Sequence, residues 1–276
     1  MEINILCIGD VVGRPGRFVL SQALPTLVEK HKIHCVIANV ENAAAGSGLT
    51  SQLYEKFKRY GVNLLTMGDH IYRKVEIVPT LEKGNDIVRP ANFPPQSVGK
   101  TFAIYQTAPG PKVAVVSLLG RMYMRPPTDC PFRAVDHVLR QLPPDVNIVV
   151  VDMHAEVTSE KVAMGWHLDG RVSVVFGTHT HVQTADECIL PGGTAYITDL
   201  GMTGPYDSIL GRRKDRVLRH MLTTLPAPFD VATDDPRLCG ILVSVEPNTG
   251  VATQIQRIRV DADKSKMPPE MANEPD

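Results

Sequence analysis

Little in this chain of 276 residues reaches out to a large partner. It has one tryptophan, 5% aromatic residues and a formal net charge of -1. A near-neutral chain exerts no long-range pull on polyanions, so neither long nucleic acid nor a membrane surface is an expected partner. The five cysteines (Cys7, Cys35, Cys130, Cys188 and Cys239) are scattered, with no C-x-x-C pair. That spacing argues against a disulfide framework or a thiolate zinc knuckle and predicts buried, reduced thiols. No apolar run approaches bilayer length. The run before Asp10 is too short for the core of a secretion signal, so a cytoplasmic location is expected. Composition leaves the oligomeric state open, a homo-oligomer included.

What the chain does have is 43% hydrophobic residues, enough for a substantial core. Short apolar runs recur at 3–9, 34–40, 63–68, 112–120, 147–153 and 172–177. Their apolar positions do not alternate, which predicts strands buried on both faces. Between them, 16–32, 51–61, 133–142, 159–168 and 213–225 carry helical spacing. Thr50 is the expected N-cap and Gly61 the expected stop of one helix, and Thr158 or Ser159 should cap another. Pro25 and Pro79 predict kinks or early ends. Residues 238–260 form two alternating runs around Pro-Asn-Thr-Gly, a hairpin signal. These patterns predict one α/β domain over 1–263, and a disordered tail over 264–276, where periodicity is lost and proline and charge accumulate.

The chemistry lies at the ends of the apolar runs. Asp10 ends the first, Glu41 and Asn42 the second, Asp69 and His70 the third. His154 ends the fifth, and His179 and His181 the sixth. A parallel sheet delivers such residues to one rim, where ligands bind in open α/β folds. On an extended backbone His179 and His181 would point the same way. Each residue alone has an ordinary role, such as a helix cap, a turn or a satisfied core histidine. Together they form a metal-ligand inventory. Carboxylates, an amide and imidazoles suit Mn, Fe, Zn or Co, and not a thiolate zinc site or an all-oxygen calcium cage. Seven ligands (Asp10, Glu41, Asn42, Asp69, His154, His179 and His181) exceed the needs of one tetrahedral ion. They suit two ions sharing a carboxylate, an arrangement that activates water and clamps a phosphoester.

Other readings carry less. The glycines of 9–16 miss both the dinucleotide and the Walker spacings. Those of 41–48 would let backbone N–H groups approach a phosphate, or simply form a flexible loop. Arg14 and Arg121 are candidates for a substrate phosphate, with a structural salt bridge as the alternative.

GDVVGRPGR (9–17), ANVENAAAGSGLT (38–50), MGDHIYRK (67–74), DMHAEVTSEK (152–161), VFGTHTHVQTADE (175–187) and PGGTAYITDLGMTGPYDSILG (191–211) resemble the YmdB-like calcineurin-type metallophosphoesterases. The resemblance implies a sandwich of two inner sheets flanked by helices. It also implies a cytoplasmic two-metal phosphodiesterase acting on 2′,3′- or 3′,5′-cyclic nucleotides, with Fe or Mn foremost. One ion would be held by Asp10, Glu41, Asn42 and His181, the other by Glu41, Asp69, His154 and His179. His70 would be the catalytic acid or base. The chain departs from the family at Asp69, where the G-N-H motif has Asn. Val12 stands where other metallophosphoesterases carry the histidine of D-x-H, an absence this branch shares. A regulatory protein that binds metal or nucleotide is the competing class, and it has no need of an acid such as His70.

Overall fold

A computed structural model describes residues 1–266. In chain order the first strands are β1 (Ile3–Ile8), β2 (Cys35–Asn39), β3 (Leu64–Thr66) and β4 (Ile87–Val88). Next come β5 (Phe102–Gln106), β6 (Lys112–Leu119), β7 (Ile148–His154) and β8 (Val174–Thr178). The last are β9 (Cys188–Ile189), β10 (Ala195–Ile197), β11 (Gly204–Pro205), β12 (Pro236–Val245) and β13 (Ala252–Asp261). The helices are α1 (Gly13–His31), α2 (Ser51–Tyr60), α3 (Val78–Lys83), α4 (Pro131–Leu139), α5 (Thr158–Leu168) and α6 (Lys214–Thr223).

The strands form two sheets. One runs β11-β12-β1-β2-β3-β4 with β13 on β12, and the other β5-β6-β7-β8-β10-β9. Strands β1 to β4 are mutually parallel, as are β6, β7 and β8, while the β12–β13 hairpin is antiparallel. The sheets face each other across Ile3, Ile5, Ile37, Leu64, Val113, Val115, Ile148, Val150, Val174 and Phe176. Helix α1 covers the outer face of the first sheet with Val19, Leu20, Leu24 and Leu27. Val135, Val138, Met164 and Leu168 of α4 and α5 cover the second. With apolar groups on both faces, the inner strands need no alternation. This is the expected two-sheet α/β sandwich.

Local corrections have physical causes. Helix α1 continues through Pro25 to His31, its buried stripe outweighing the missing N–H. Pro79 falls in the first turn of α3, where an N–H has no intrahelical partner anyway. Thr50 caps α2 by accepting from Leu53 N–H at 3.1 Å, and Gly61 ends it at φ 96°. Neither Thr158 nor Ser159 caps α5; the N-cap is Val157, whose carbonyl accepts from Glu160 N–H. Cys7, Cys35 and Cys239 are buried as expected, but Cys130 is half-buried and Cys188 exposed, on a short edge strand. Lys264–Lys266 form a 3-10 turn, and the rest of the expected tail lies outside the described residues.

Candidate metal centre

Strand periodicity builds the site. Side chains two apart share a face, so the inward row of β7 reads Ile148, Val150, Asp152, His154. Its first two members are hydrocarbon and its last two are polar, yet all are fully buried. The same change ends the inward rows of β2 at Asn39, β3 at Thr66, β6 at Ser117 and β8 at Thr178. The sandwich interior thus turns polar at its C-terminal rim, and the loops beyond carry the predicted ligands.

Those ligands form two adjoining groups. In one, His154 Nε2 lies 3.2 Å from Glu41 Oε1, 3.2 Å from Asp69 Oδ1 and 3.1 Å from His179 Nδ1. Donor atoms of Glu41, Asp69, His154 and His179 all fall within 4.8 Å of one another. In the other group, His181 Nε2 lies 3.7 Å from Asp10 Oδ1 and 3.3 Å from Asn42 Nδ2, which is itself 3.3 Å from Glu41 Oε1. Glu41 is common to both. Asp10 Oδ1 is buried and has no hydrogen-bond partner among the described residues. A buried carboxylate oxygen left so is costly, and a cation would satisfy it. Gly68 makes the approach possible, because a Cβ there would collide with Glu41 Oε2 and His154 Nε2. The residues present therefore fit divalent ions.

Electrostatics agree. Burial acts to raise the Glu41 carboxyl, but His154 and His70 hold it well below the usual carboxylate range. Burial likewise opposes charge on His154, yet Glu41, Asp69 and Asp10 hold its pKa well above an ordinary imidazole's. His179 moves the other way, pushed down to about 4 by burial and by His154 beside it. A proton on His154 and a cation in the cluster compete for the same lone pair.

Beneath the ligands lies a layer that the sequence reading missed. Asp152 accepts hydrogen bonds from Asn39 Nδ2 (3.1 Å), Thr66 Oγ1 (2.5 Å) and Thr178 Oγ1 (2.6 Å), and burial pushes its pKa up to about 6. On the outer face of the second sheet, Lys161 Nζ of α5 donates to Asp199 Oδ2 at 2.6 Å in a fully buried pair. Asp199 also accepts from Thr180 N–H, Thr180 Oγ1 and Gly201 N–H, so it fixes the loop carrying His179 and His181. Glu156 Oε2 meets His179 Nε2 at 3.2 Å from the solvent side. The i, i+2 pair Asp152–His154 was a visible signal for this layer; Lys161, alone on a helix, had none.

Several expectations change. His179 and His181 are not on extended backbone: β8 stops at Thr178, and both take left-handed conformations, φ 93° and 63°. Their rings consequently go to different groups. Asn42 Oδ1 lies 2.7 Å from His70 Nδ1, so its amide nitrogen faces the cluster, and metal ligation through oxygen requires the amide to turn over. The 41–48 loop is no open phosphate cradle. The amides of Ala44, Ser47 and Gly48 bond within it, that of Ala43 donates to the Val40 carbonyl, and carbonyls of Ala43, Ala45 and Gly46 accept from Arg17 and Arg212. Arg14 lies in the first turn of α1; Arg121 follows β6, exposed, its backbone N–H donating to Glu160 at 3.0 Å.

The family model described as YmdB-like protein matches residues 6–258. The chain belongs to the YmdB-like family. It is 45% identical over 261 residues to the 2′,3′-cyclic-nucleotide 2′-phosphodiesterase of Bacillus subtilis (strain 168), covering 95% of this chain and 98% of that one. A hypothetical protein from Thermus thermophilus superposes with a TM-score of 0.88 at 39% identity, covering 95% of this chain and all of that one. A phosphatase from Mycoplasma pneumoniae gives 0.88 at 33% identity, over 96% of both. Among the described residues no helix is long and apolar enough to cross a membrane.

Lys161→Met would leave Asp199 charged, buried and without its cation. Breaking such a pair costs about 3–5 kcal/mol. Urea unfolding of the variant should show a loss of that order; a loss under ~1 kcal/mol would mean the pair does not secure the loop.

Proposed function

We propose that this protein is a cytoplasmic two-metal phosphodiesterase for small phosphodiesters, 2′,3′-cyclic nucleotides above all, with 3′,5′-cyclic nucleotides as further substrates. The observation that carries the reading is the pair of donor groups meeting at Glu41, with a histidine outside the ligand set beside them. The similarity to a 2′,3′-cyclic-nucleotide phosphodiesterase supports it. Asp10, Glu41, Asn42 and His181 would hold one ion; Glu41, Asp69, His154 and His179 the other. The donor set favours Fe or Mn and accommodates Zn or Co. Bound there, such ions polarise phosphoryl oxygens and lower the pKa of water.

The chain supplies the rest. His70 is anchored through its backbone N–H to Glu41 Oε2 at 3.1 Å, and its Nδ1 faces the Asn42 amide, whose N–H donates to it once that amide turns over for ligation. That leaves Nε2, 3.6 Å from Asp69 Oδ2, to hand a proton to the departing ribose oxygen. Arg14, in the first turn of α1, and Arg121, just after β6, would meet a phosphate entering from the rim.

Purified protein should carry about two transition-metal ions per chain. A chelator should abolish its hydrolysis of 2′,3′-cyclic nucleotides, and Mn²⁺ or Fe²⁺ should restore it. Full turnover by metal-free protein would end the proposal; metal uptake without turnover of any cyclic nucleotide would favour a regulatory role.

His70→Ala should keep both ions and slow the reaction by about 10²–10⁴-fold, the range of general acid help. Loss of metal in step with rate would make His70 a ligand instead.

Asp69→Asn removes one negative charge from the cluster. It should remain active, bind inorganic phosphate more tightly and show its acidic pH–rate limb at lower pH. An unchanged phosphate inhibition constant would show that Asp69 does not set the charge of the site.

A further inference from the structure

Thr178 and Asp152 touch neither the mouth of the site nor any position a substrate could reach, and both are fully buried. We infer that they form a positioning relay: Asp152 orients the Thr178 hydroxyl, which fixes His154 in the tautomer that presents Nε2 to one ion. The inference rests on the two-metal reading above and adds to it residues outside the ligand set.

The argument is one of proton counting. Thr178 Oγ1 has a single hydrogen and two close partners, Asp152 Oδ1 at 2.6 Å and His154 Nδ1 at 2.8 Å; Asn39 Nδ2 stands farther off, 3.5 Å from both Oγ1 and Nδ1, against 3.1 Å from Asp152 Oδ2. A carboxylate only accepts, so the hydrogen goes to Asp152 and the hydroxyl oxygen must accept from His154 Nδ1–H. Nε2 is then the free lone pair, and it is the atom facing Glu41 and Asp69. The carboxylate state of Asp152 is itself set by geometry. Asn39 Oδ1 accepts from Glu41 N–H at 3.2 Å, which turns Asn39 Nδ2 toward Asp152. Thr66 Oγ1 reaches the same Oδ2. Three donors from β2, β3 and β8 thus converge on one acceptor. Only His154 is served this way: His179 has Glu156 at its outer nitrogen, and His181 Nδ1 has the Leu210 carbonyl at 3.0 Å.

A purely structural knot would contain the same bonds, so the test must separate the two roles. Thr66→Val and Thr178→Val each remove one hydroxyl donor from Asp152, but only Thr178 touches His154. On metal-stripped full-length protein, Mn²⁺ calorimetry should show two sites in wild type and in Thr66→Val, whose cost appears in thermal unfolding alone. Thr178→Val should weaken one site by about 10–100-fold, the usual effect of losing a partner behind a ligand, and leave the other unchanged. Thr178→Ser, which keeps the hydroxyl, should restore it. Equal metal loss in the two valine variants, or none in Thr178→Val, overturns the relay. Nitrogen-15 NMR of histidine in Mg²⁺- or Zn²⁺-loaded wild type decides it even if a variant does not fold: His154 must carry its proton on Nδ1, and an Nε2–H tautomer overturns the proposal. Wild-type protein that takes up no Mn²⁺ overturns the metal reading itself, and the relay with it.

Discussion

A single buried carboxylate, Asp152, governs how this sandwich can close. Desolvating it is costly unless donors replace water, and no one strand can supply enough of them. Asn39 and Thr66 come from one sheet and Thr178 from the other. Hydrocarbon contact elsewhere between the sheets is non-directional and would tolerate small sliding. Hydrogen bonds of 2.5–3.1 Å to one acceptor would not. Ser117 adds a further cross-sheet bond, Oγ to the Met67 carbonyl at 2.7 Å. The sheets are therefore registered most tightly at the rim where Glu41 and His154 stand, two residues beyond Asn39 and Asp152.

That registration lets opposite perturbations coexist in a small volume. Glu41 is held ionised by the imidazoles around it, His154 is held basic by the carboxylates, and His179, with a half-exposed glutamate as its outer neighbour, is held neutral. Such divergence among adjacent titratable groups marks functional sites more often than structural ones. Here it also describes competition: a cluster able to keep a proton on His154 can exchange it for a cation. Asp69 adds a carboxylate to this balance and points into it, 3.2 Å from His154 and 3.6 Å from His70.

Much of this was legible in the residues themselves. Apolar runs marked β1, β2, β3, β6, β7 and β8, and the polar residue types after them marked the rim, because a parallel sheet leaves few other places for its strand ends to go. The layer below was harder to see for a specific reason. Strands buried on both faces show no alternation, so only the i, i+2 spacing to His154 signalled that Asp152, not Met153, faced inward. Lys161 was hidden by its own helix, since a lysine on an amphipathic segment ordinarily lies in solvent. The orientation of Asn42 rests on His70, a contact between loops that spacing does not encode.

The H-x-H loop shows how far a backbone can depart from what its spacing implies. On extended backbone His179 and His181 would converge on a single point, and one ion would suffice for both. Left-handed conformations are disfavoured for residues with a Cβ, and the loop adopts two of them one residue apart. Thr180 stands between, its N–H and hydroxyl both given to Asp199, and Asp199 is held by Lys161 from the opposite side of β8. The strain is thus met by a buried ion pair outside the site. What it achieves is divergence: His179 turns toward His154 and Asp69, His181 toward Asp10 and Asn42. A spacing that would bring both rings to one point is bent to serve two donor groups, with Glu41 common to both.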